Sequence, residues 1–294
     1  MGTAGRVLMR ARAVAWLAAT LLASCCATLP AAAVEPGASH ERLPADYDLV
    51  GEDVTFAATD SVPVAGWWFA GAKDAPVVVV ASRGAGTMAN VLPVVKEFHA
   101  RGFHVLTFDY RGFGPSGSAA ARDSLRYIVF SSRWVDDMAG ALRYARQRGG
   151  RHVFAWGQDL GSAVALAGAA RDARYCDAVA VEGLFRTSQE YLLANGTSVV
   201  EDIMARHRRI VTGGDEPFSA AAKLRVPLFA ILAAKDDVTP PAGTKAIVIR
   251  DRVRVDTWLI PNAGHAGAEQ TPGYFDRLVT WFKQWTALPP GGGR

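Results

Sequence analysis

The stretch Phe154-Ala-Trp-Gly-Gln-Asp-Leu-Gly-Ser162 sets an aspartate between two glycines, Gly157 and Gly161. That spacing suits a sharp strand–turn–helix bend. The bend lifts the middle side chain over a sheet edge, and the flanking glycines let neighbouring backbones approach. A side chain raised in this way is a nucleophile candidate, and here it is a carboxylate. Attack by Asp159 on an ester carbonyl would give a mixed anhydride, an uphill step. Attack on an sp³ carbon bearing a leaving group would give an alkyl ester that water can cleave. Asp236, in Ala234-Lys-Asp-Asp-Val-Thr-Pro-Pro241, and His265, in Pro261-Asn-Ala-Gly-His265, follow in the chain order nucleophile, acid, histidine. His265 would be the general base for that water, oriented by Asp236. Backbone N–H groups of Leu160 and Ala85 would hold the oxyanion, worth roughly 3 kcal/mol per donor. Arg83 would bind an anionic leaving group or a substrate carboxylate.

The same aspartate has a plainer reading. Asp is a favoured residue at a helix N-terminus, and the helix expected from Gly161 points its positive end there. On that reading the chain is a non-catalytic or ligand-binding protein, with Asp236 and His265 as remnants and Arg83 in a salt bridge. Retention of all three polar positions favours the active reading, since an unpaired buried Asp or His costs stability. His40, His99, His104, His152 and His207 lack a comparable placement, and none has metal-ligand spacing. Neither a metal nor another cofactor is expected.

The elements that must position these residues alternate between apolar runs and helical patterns. This predicts an α/β fold: a mostly parallel sheet with helices on both faces. Strands are expected near Val50–Ala57, Pro63–Phe69, Pro76–Ala81, His104–Phe108, Arg151–Trp156, Ala178–Val181, Val226–Ala233 and Val253–Ile260. The first two would pair antiparallel. Helices are expected near Ala89–Arg101, Arg133–Arg148 and Gly161–Ala170, and a last one carries Tyr274, Phe275, Leu278, Trp281, Phe282 and Trp285 at 3.6-residue spacing. The segment 183–225 is too long for a plain crossover and reads as a small lid, helical near Glu190–Leu193 and Val199–Ile210. Trp67, Trp68 and Trp134 read as core packing rather than as ring N–H donors to a substrate. Cys176 reads as a buried structural thiol.

The first residues read as an export signal. Arg6, Arg10 and Arg12 precede Ala13–Leu22, an apolar run too short to span a bilayer. Cleavage at Ala31-Ala32-Ala33 would remove residues 1–33. Alternatively, Leu22-Ala-Ser-Cys25 resembles a bacterial lipobox, which would remove 1–24 and put a lipid on Cys25, tethering a periplasmic or outer-membrane lipoprotein. Residues 34–47 then read as a linker, 48–288 as the domain and 289–294 as a disordered tail. Without the three early arginines, 29 basic residues face 28 acidic ones. This near-neutral balance gives no reason to expect a nucleic-acid partner. A small-molecule substrate is expected instead, with membrane contact only through the lipid anchor.

Several of these stretches together resemble the α/β-hydrolase superfamily over about residues 48–286. Phe108-Asp-Tyr-Arg-Gly-Phe-Gly-Pro-Ser116 is similar to its D-x-R-G-x-G-x-S stretch, and Gly264-His265 followed by Thr271-Pro-Gly-Tyr-Phe275 is similar to the branch that includes the Bem46-like proteins. That branch carries Ser at the elbow and His-Gly in the loop after the third strand. This chain has Asp159 and Ser82-Arg83-Gly84-Ala85-Gly86. The aspartate resembles haloalkane dehalogenases and epoxide hydrolases, but Leu160 stands where dehalogenases commonly have Trp or Arg, and Tyr191 is the lone tyrosine of the expected lid. The resemblance implies a hydrolase.

Overall fold

The computed structural model describes residues 34–118, 122, 128–194, 211, 213–248 and 253–287. The expected export signal with Cys25, the helix near Val199–Ile210 and the tail 289–294 lie outside them. The described residues fall within one unit, Ala32–Arg294.

The elements built on these residues follow the apolar runs. Strands β1 (Glu35–Pro36), β2 (Glu52–Ala57), β3 (Pro63–Phe69), β4 (Val77–Ala81), β5 (Ala85–Gly86), β6 (His104–Phe108), β7 (Val153–Gln158), β8 (Ala178–Glu182), β9 (Leu228–Ala233) and β10 (Val255–Ile260) are joined by helices. The helices are α1 (Leu92–Ala100), α2 (Ser132–Gln147), α3 (Leu160–Arg171), α4 (Ser188–Ala194), α5 (Pro217–Lys223), α6 (Pro241–Val248) and α7 (Tyr274–Lys283). Eight strands form one sheet in the order β10-β9-β8-β7-β4-β6-β3-β2. It is parallel from β10 to β6, whereas β3 and β2 join antiparallel.

β4 and β7 sit in the middle and every residue of each is buried, as a strand covered on both faces requires. One apolar layer carries α2 and α3 residues such as Trp134, Met138, Val164 and Leu166. The other carries Val95 and Phe98 of α1 with Leu278, Trp281 and Phe282 of α7. The parallel strands therefore all end on one edge, where the candidate residues cluster.

Two sequence readings change. Residues 34–47, read as a linker, lie on the domain: β1 pairs in parallel with β5, Glu35 opposite Ala85 and Pro36 opposite Gly86. A two-residue pairing that includes a proline leaves no alternation to detect. Helix α6 was not anticipated either, because Pro-Pro-Ala-Gly looks like a turn. Proline at a first helical position is nonetheless compatible with a helix start.

Candidate active site

β7 delivers the elbow. Asp159 has φ 54° and ψ −123°, a conformation that costs a non-glycine residue about 1–3 kcal/mol and persists only where the surroundings impose it. The surroundings are tight. A Cβ on Gly157 would stand 2.0 Å from the Gly161 carbonyl oxygen, and one on Gly161 would stand 2.6 Å from the Ala81 oxygen. The Asp159 N–H donates to the Glu182 carbonyl at 2.9 Å, anchoring the bend to β8. The side chain makes no capping bond to α3. Asp159 is thus the N-cap residue of α3 and bonds the helix through its main-chain carbonyl, which accepts the Ser162 N–H at 2.9 Å, not through its carboxylate.

Instead the carboxylate faces two residues. The Tyr191 hydroxyl, from α4, donates to Oδ1 at 3.0 Å. His265 Nε2 stands 3.8 Å from Oδ2, beyond hydrogen-bond reach and within ion-pair distance. The other ring nitrogen, Nδ1, lies 3.1 and 3.2 Å from the two Asp236 oxygens. Asp236, on the loop after β9, is fixed by the N–H groups of Val238 and Thr239 at 3.0 and 2.7 Å and by the Thr239 hydroxyl at 2.6 Å. Asp159 and Asp236 thus flank the two ring nitrogens of His265.

The charges of this trio are coupled. Burial disfavours the His265 imidazolium, but the Asp159 and Asp236 carboxylates at its two nitrogens outweigh it and hold the ring up to about 10. Burial likewise disfavours the Asp236 carboxylate, yet the bonds from His265 and Thr239 win and keep it below its ordinary range. Burial, then the charge of Asp159, pushes the Tyr191 phenol upward, so it stays a neutral donor.

Arg83 lies on the loop after β4, and Ala85 opens β5. Ala85 is exposed and its carbonyl accepts from Asn90 Nδ2 at 2.9 Å. The loop residue that lies against the elbow is Gly84, where a Cβ would stand 2.4 Å from Leu160 Cδ2. Arg83 Nη2 is bound to Glu269 Oε1 at 2.5 Å, the salt bridge of the plainer reading. Trp67 Nε1 donates to Asp53 and Trp134 Nε1 to the Arg111 carbonyl, so both rings are engaged in packing and local bonds. Among the described residues, no group of three or more His, Cys, Asp or Glu forms a metal-holding cluster.

Three site neighbours were not assigned a role from sequence: Tyr191, Thr239 and Glu182. Glu182 is buried, pairs with Gln158 Nε2 at 2.6 Å and accepts from the Tyr274 hydroxyl at 2.8 Å and the Ala268 N–H at 3.2 Å. It links the elbow strand to the loop carrying His265. A Glu ending a run of Ala and Val is the signal that could have found it, because a buried carboxylate must be bonded.

Residues 72–209 match the family described as serine aminopeptidase, S33, over just under half of the chain. An uncharacterised protein of Mycobacterium tuberculosis is 24% identical over 257 residues, spanning 83% of this chain and 80% of its own. A lysophosphatidylserine lipase of Danio rerio is 31% identical over 128 residues, 39% of this chain and 31% of its own. Among solved structures, an esterase of Pyrococcus furiosus superposes with TM-score 0.66 at 18% identity, covering 87% of this chain and 98% of that one. The chain has the α/β-hydrolase fold, and the family match and the lipase relative support that superfamily. An acetyl xylan esterase from Paenibacillus sp. R4 is a further neighbour in fold, with TM-score 0.59, 16% identity and coverage of 86% and 97%. These comparisons support a hydrolase and leave open which bond it cleaves.

Proposed function

We propose that this chain is an exported hydrolase that cleaves a small organic substrate through a covalent ester on Asp159. The observation that carries the reading is the orientation of Asp159: it occupies a strained elbow, makes no side-chain capping bond to α3 and faces His265 Nε2 at 3.8 Å. In the first step an Asp159 oxygen forms a bond to carbon, and the bond from that carbon to the leaving group breaks with its electron pair. An oxygen leaving group takes the proton of the His265 imidazolium; a halide leaves without one, and the ring loses its proton to solvent. Esterification removes the charge of Asp159, one of the two carboxylates that held the ring protonated. The neutral imidazole then takes a proton from water as the oxygen attacks the Asp159 carbonyl, and the alcohol is released. Tyr191 fixes the carboxylate by its bond to Oδ1. A cavity of about 100 Å³, bounded by Phe185, Arg186, Glu190, Tyr191 and Thr239 among others, adjoins the trio through Tyr191 and Thr239 and is not lined by Asp159 or His265 themselves.

The test is a trapped adduct. His265→Gln protein incubated with 1-bromobutane or styrene oxide should gain the mass of the alkyl fragment at Asp159, and Asp159→Asn should not. Turnover in ¹⁸O water should place label first in the Asp159 carboxylate. Failure to form an adduct, together with esterase activity of Asp159→Ser on p-nitrophenyl acetate, would make the elbow a disabled serine site. One observation favours that second, non-catalytic reading: Arg83, the expected substrate contact, is held by Glu269. Export and tethering through Cys25 rest on the sequence and belong to the same proposal.

A further inference from the structure

We propose that the segment Val34–His40 is a positioning strand of the reaction site: it holds the Gly84–Met88 loop against the elbow. The inference rests on the proposed reaction, whose second step puts an oxyanion on the Asp159 ester that N–H groups of Leu160 and of the 84–86 loop would hold.

The segment is tied along its length. The Val34 N–H donates to the Ile128 carbonyl at 2.9 Å, Glu35 N–H to Gly84 at 3.0 Å and Gly37 N–H to Gly86 at 2.6 Å, while Gly114 N–H donates to Gly37 at 2.9 Å. The loop has little to stiffen it from within, because Gly84 and Gly86 adopt φ +90° and +70°, where glycine alone is at ease and the unfolded chain is most free. Gly84 is enclosed from both sides. A Cβ there would stand 2.4 Å from Leu160 Cδ2 and 3.2 Å from Val34 Cγ1, so Val34 backs the glycine that backs the elbow. The far ends meet at Asp109. Its Oδ2 lies 2.7 Å from His40 Nε2, and its Oδ1 accepts the Met88 N–H at 2.6 Å. The His40 ring lies 4.3 Å from the Trp67 ring, centre to centre. One buried carboxylate therefore clamps the end of the strand and the end of the loop together.

The strand touches no reacting atom and acts through the loop. Removing one oxyanion donor costs about 10²–10³ in rate, so loosening the loop should slow hydrolysis of the Asp159 ester by at least about tenfold while leaving its formation within about twofold. Gly37→Ala is the first variant, since its Cβ would stand 2.8 Å from the Gly86 oxygen. Glu35→Pro is the second; it deletes the N–H that reaches Gly84 without removing a buried side chain. His40→Ala and His40→Gln form a third pair, in which Gln keeps a donor for Asp109 and should recover most of what Ala loses. The full-length variants are followed by hydrogen exchange over residues 84–88, and by single-turnover mass spectrometry with 1-bromobutane and styrene oxide. Faster loop exchange with accumulation of the Asp159 adduct is the expected result. Faster exchange with both steps unchanged overturns the positioning role, and so does unchanged exchange in Gly37→Ala and Glu35→Pro. A wild type that forms no adduct defeats the reaction itself, and this proposal with it; a wild type that reacts beside variants that behave identically defeats this proposal alone.

Discussion

Replacing Asp159 with Asn removes one negative charge 3.8 Å from His265 Nε2 and keeps the side chain's size. Two unit charges about 4 Å apart interact by ~1 kcal/mol in bulk water and ~4 kcal/mol at an effective dielectric of ~20. The two side chains are 25% and 20% exposed, which places the pair between those limits. A loss of ~1.5–3 kcal/mol corresponds to ~1–2 pKa units. The His265 ring, at about 10 in the wild type, should therefore titrate near ~8–9 in Asp159→Asn, with Asp236 still in place. Imidazole ¹H–¹⁵N spectra across about pH 5–11 measure this directly, and His265→Gln identifies the signal among the six histidines. Stability follows the same linkage. A histidine whose folded value lies above its unfolded value of ~6.5 contributes fully below that pH, and the contribution is lost as pH rises through the folded value. The wild-type urea midpoint should fall between neutral pH and about pH 10, and Asp159→Asn should flatten that fall. A wild-type His265 titrating below about 7.5, or a shift under about half a unit in Asp159→Asn, would refute the ion-pair geometry on which the two-step reaction depends.

Other consequences are open to simpler measurements. Asp236→Asn removes the partner of His265 Nδ1, and hydrolysis of the Asp159 ester should slow by about 10²-fold or more, read as adduct lifetime. Tyr191→Phe deletes the bond to Asp159 Oδ1; a bond to a charged group is worth ~1.5–3 kcal/mol, so adduct formation should slow about tenfold or more in single-turnover kinetics. Gly157→Ala puts a Cβ 2.0 Å from the Gly161 oxygen and should cost more than ~3 kcal/mol, seen as a lowered urea midpoint or insolubility. Cys25→Ala should release the protein from the membrane fraction; an unchanged distribution would remove the lipid tether from the proposal.

The sheet was legible because its central strands say little else. Val77–Ala81 and Val153–Trp156 are continuous apolar runs, and Pro63–Phe69 and His104–Phe108 emerge with the bounds the residues suggested. The elbow followed from two glycines at fixed spacing, and the aspartate and histidine followed from their loops after β9 and β10. What could not be seen depends on approach in space. Arg83 and Glu269 are 186 residues apart, and no local pattern pairs them. Tyr191 was visible as a tyrosine of the expected lid, but its bond to Asp159 depends on how α4 returns over the sheet edge. The close packing of Gly84 against Leu160 likewise depends on how the loop after β4 folds back onto the elbow.

The docking of Val34–His40 also fixes an order of maturation. Its partners at Gly84, Gly86, Asp109 and Ile128 all emerge later from the ribosome, so the segment cannot seat until much of the sheet exists. Trimming after Ala33 would turn the Val34 amide at the Ile128 carbonyl into a new terminal ammonium, ordinarily near pKa ~8. The proposed cleavage would therefore change the charge on a contact of the site, not create that contact.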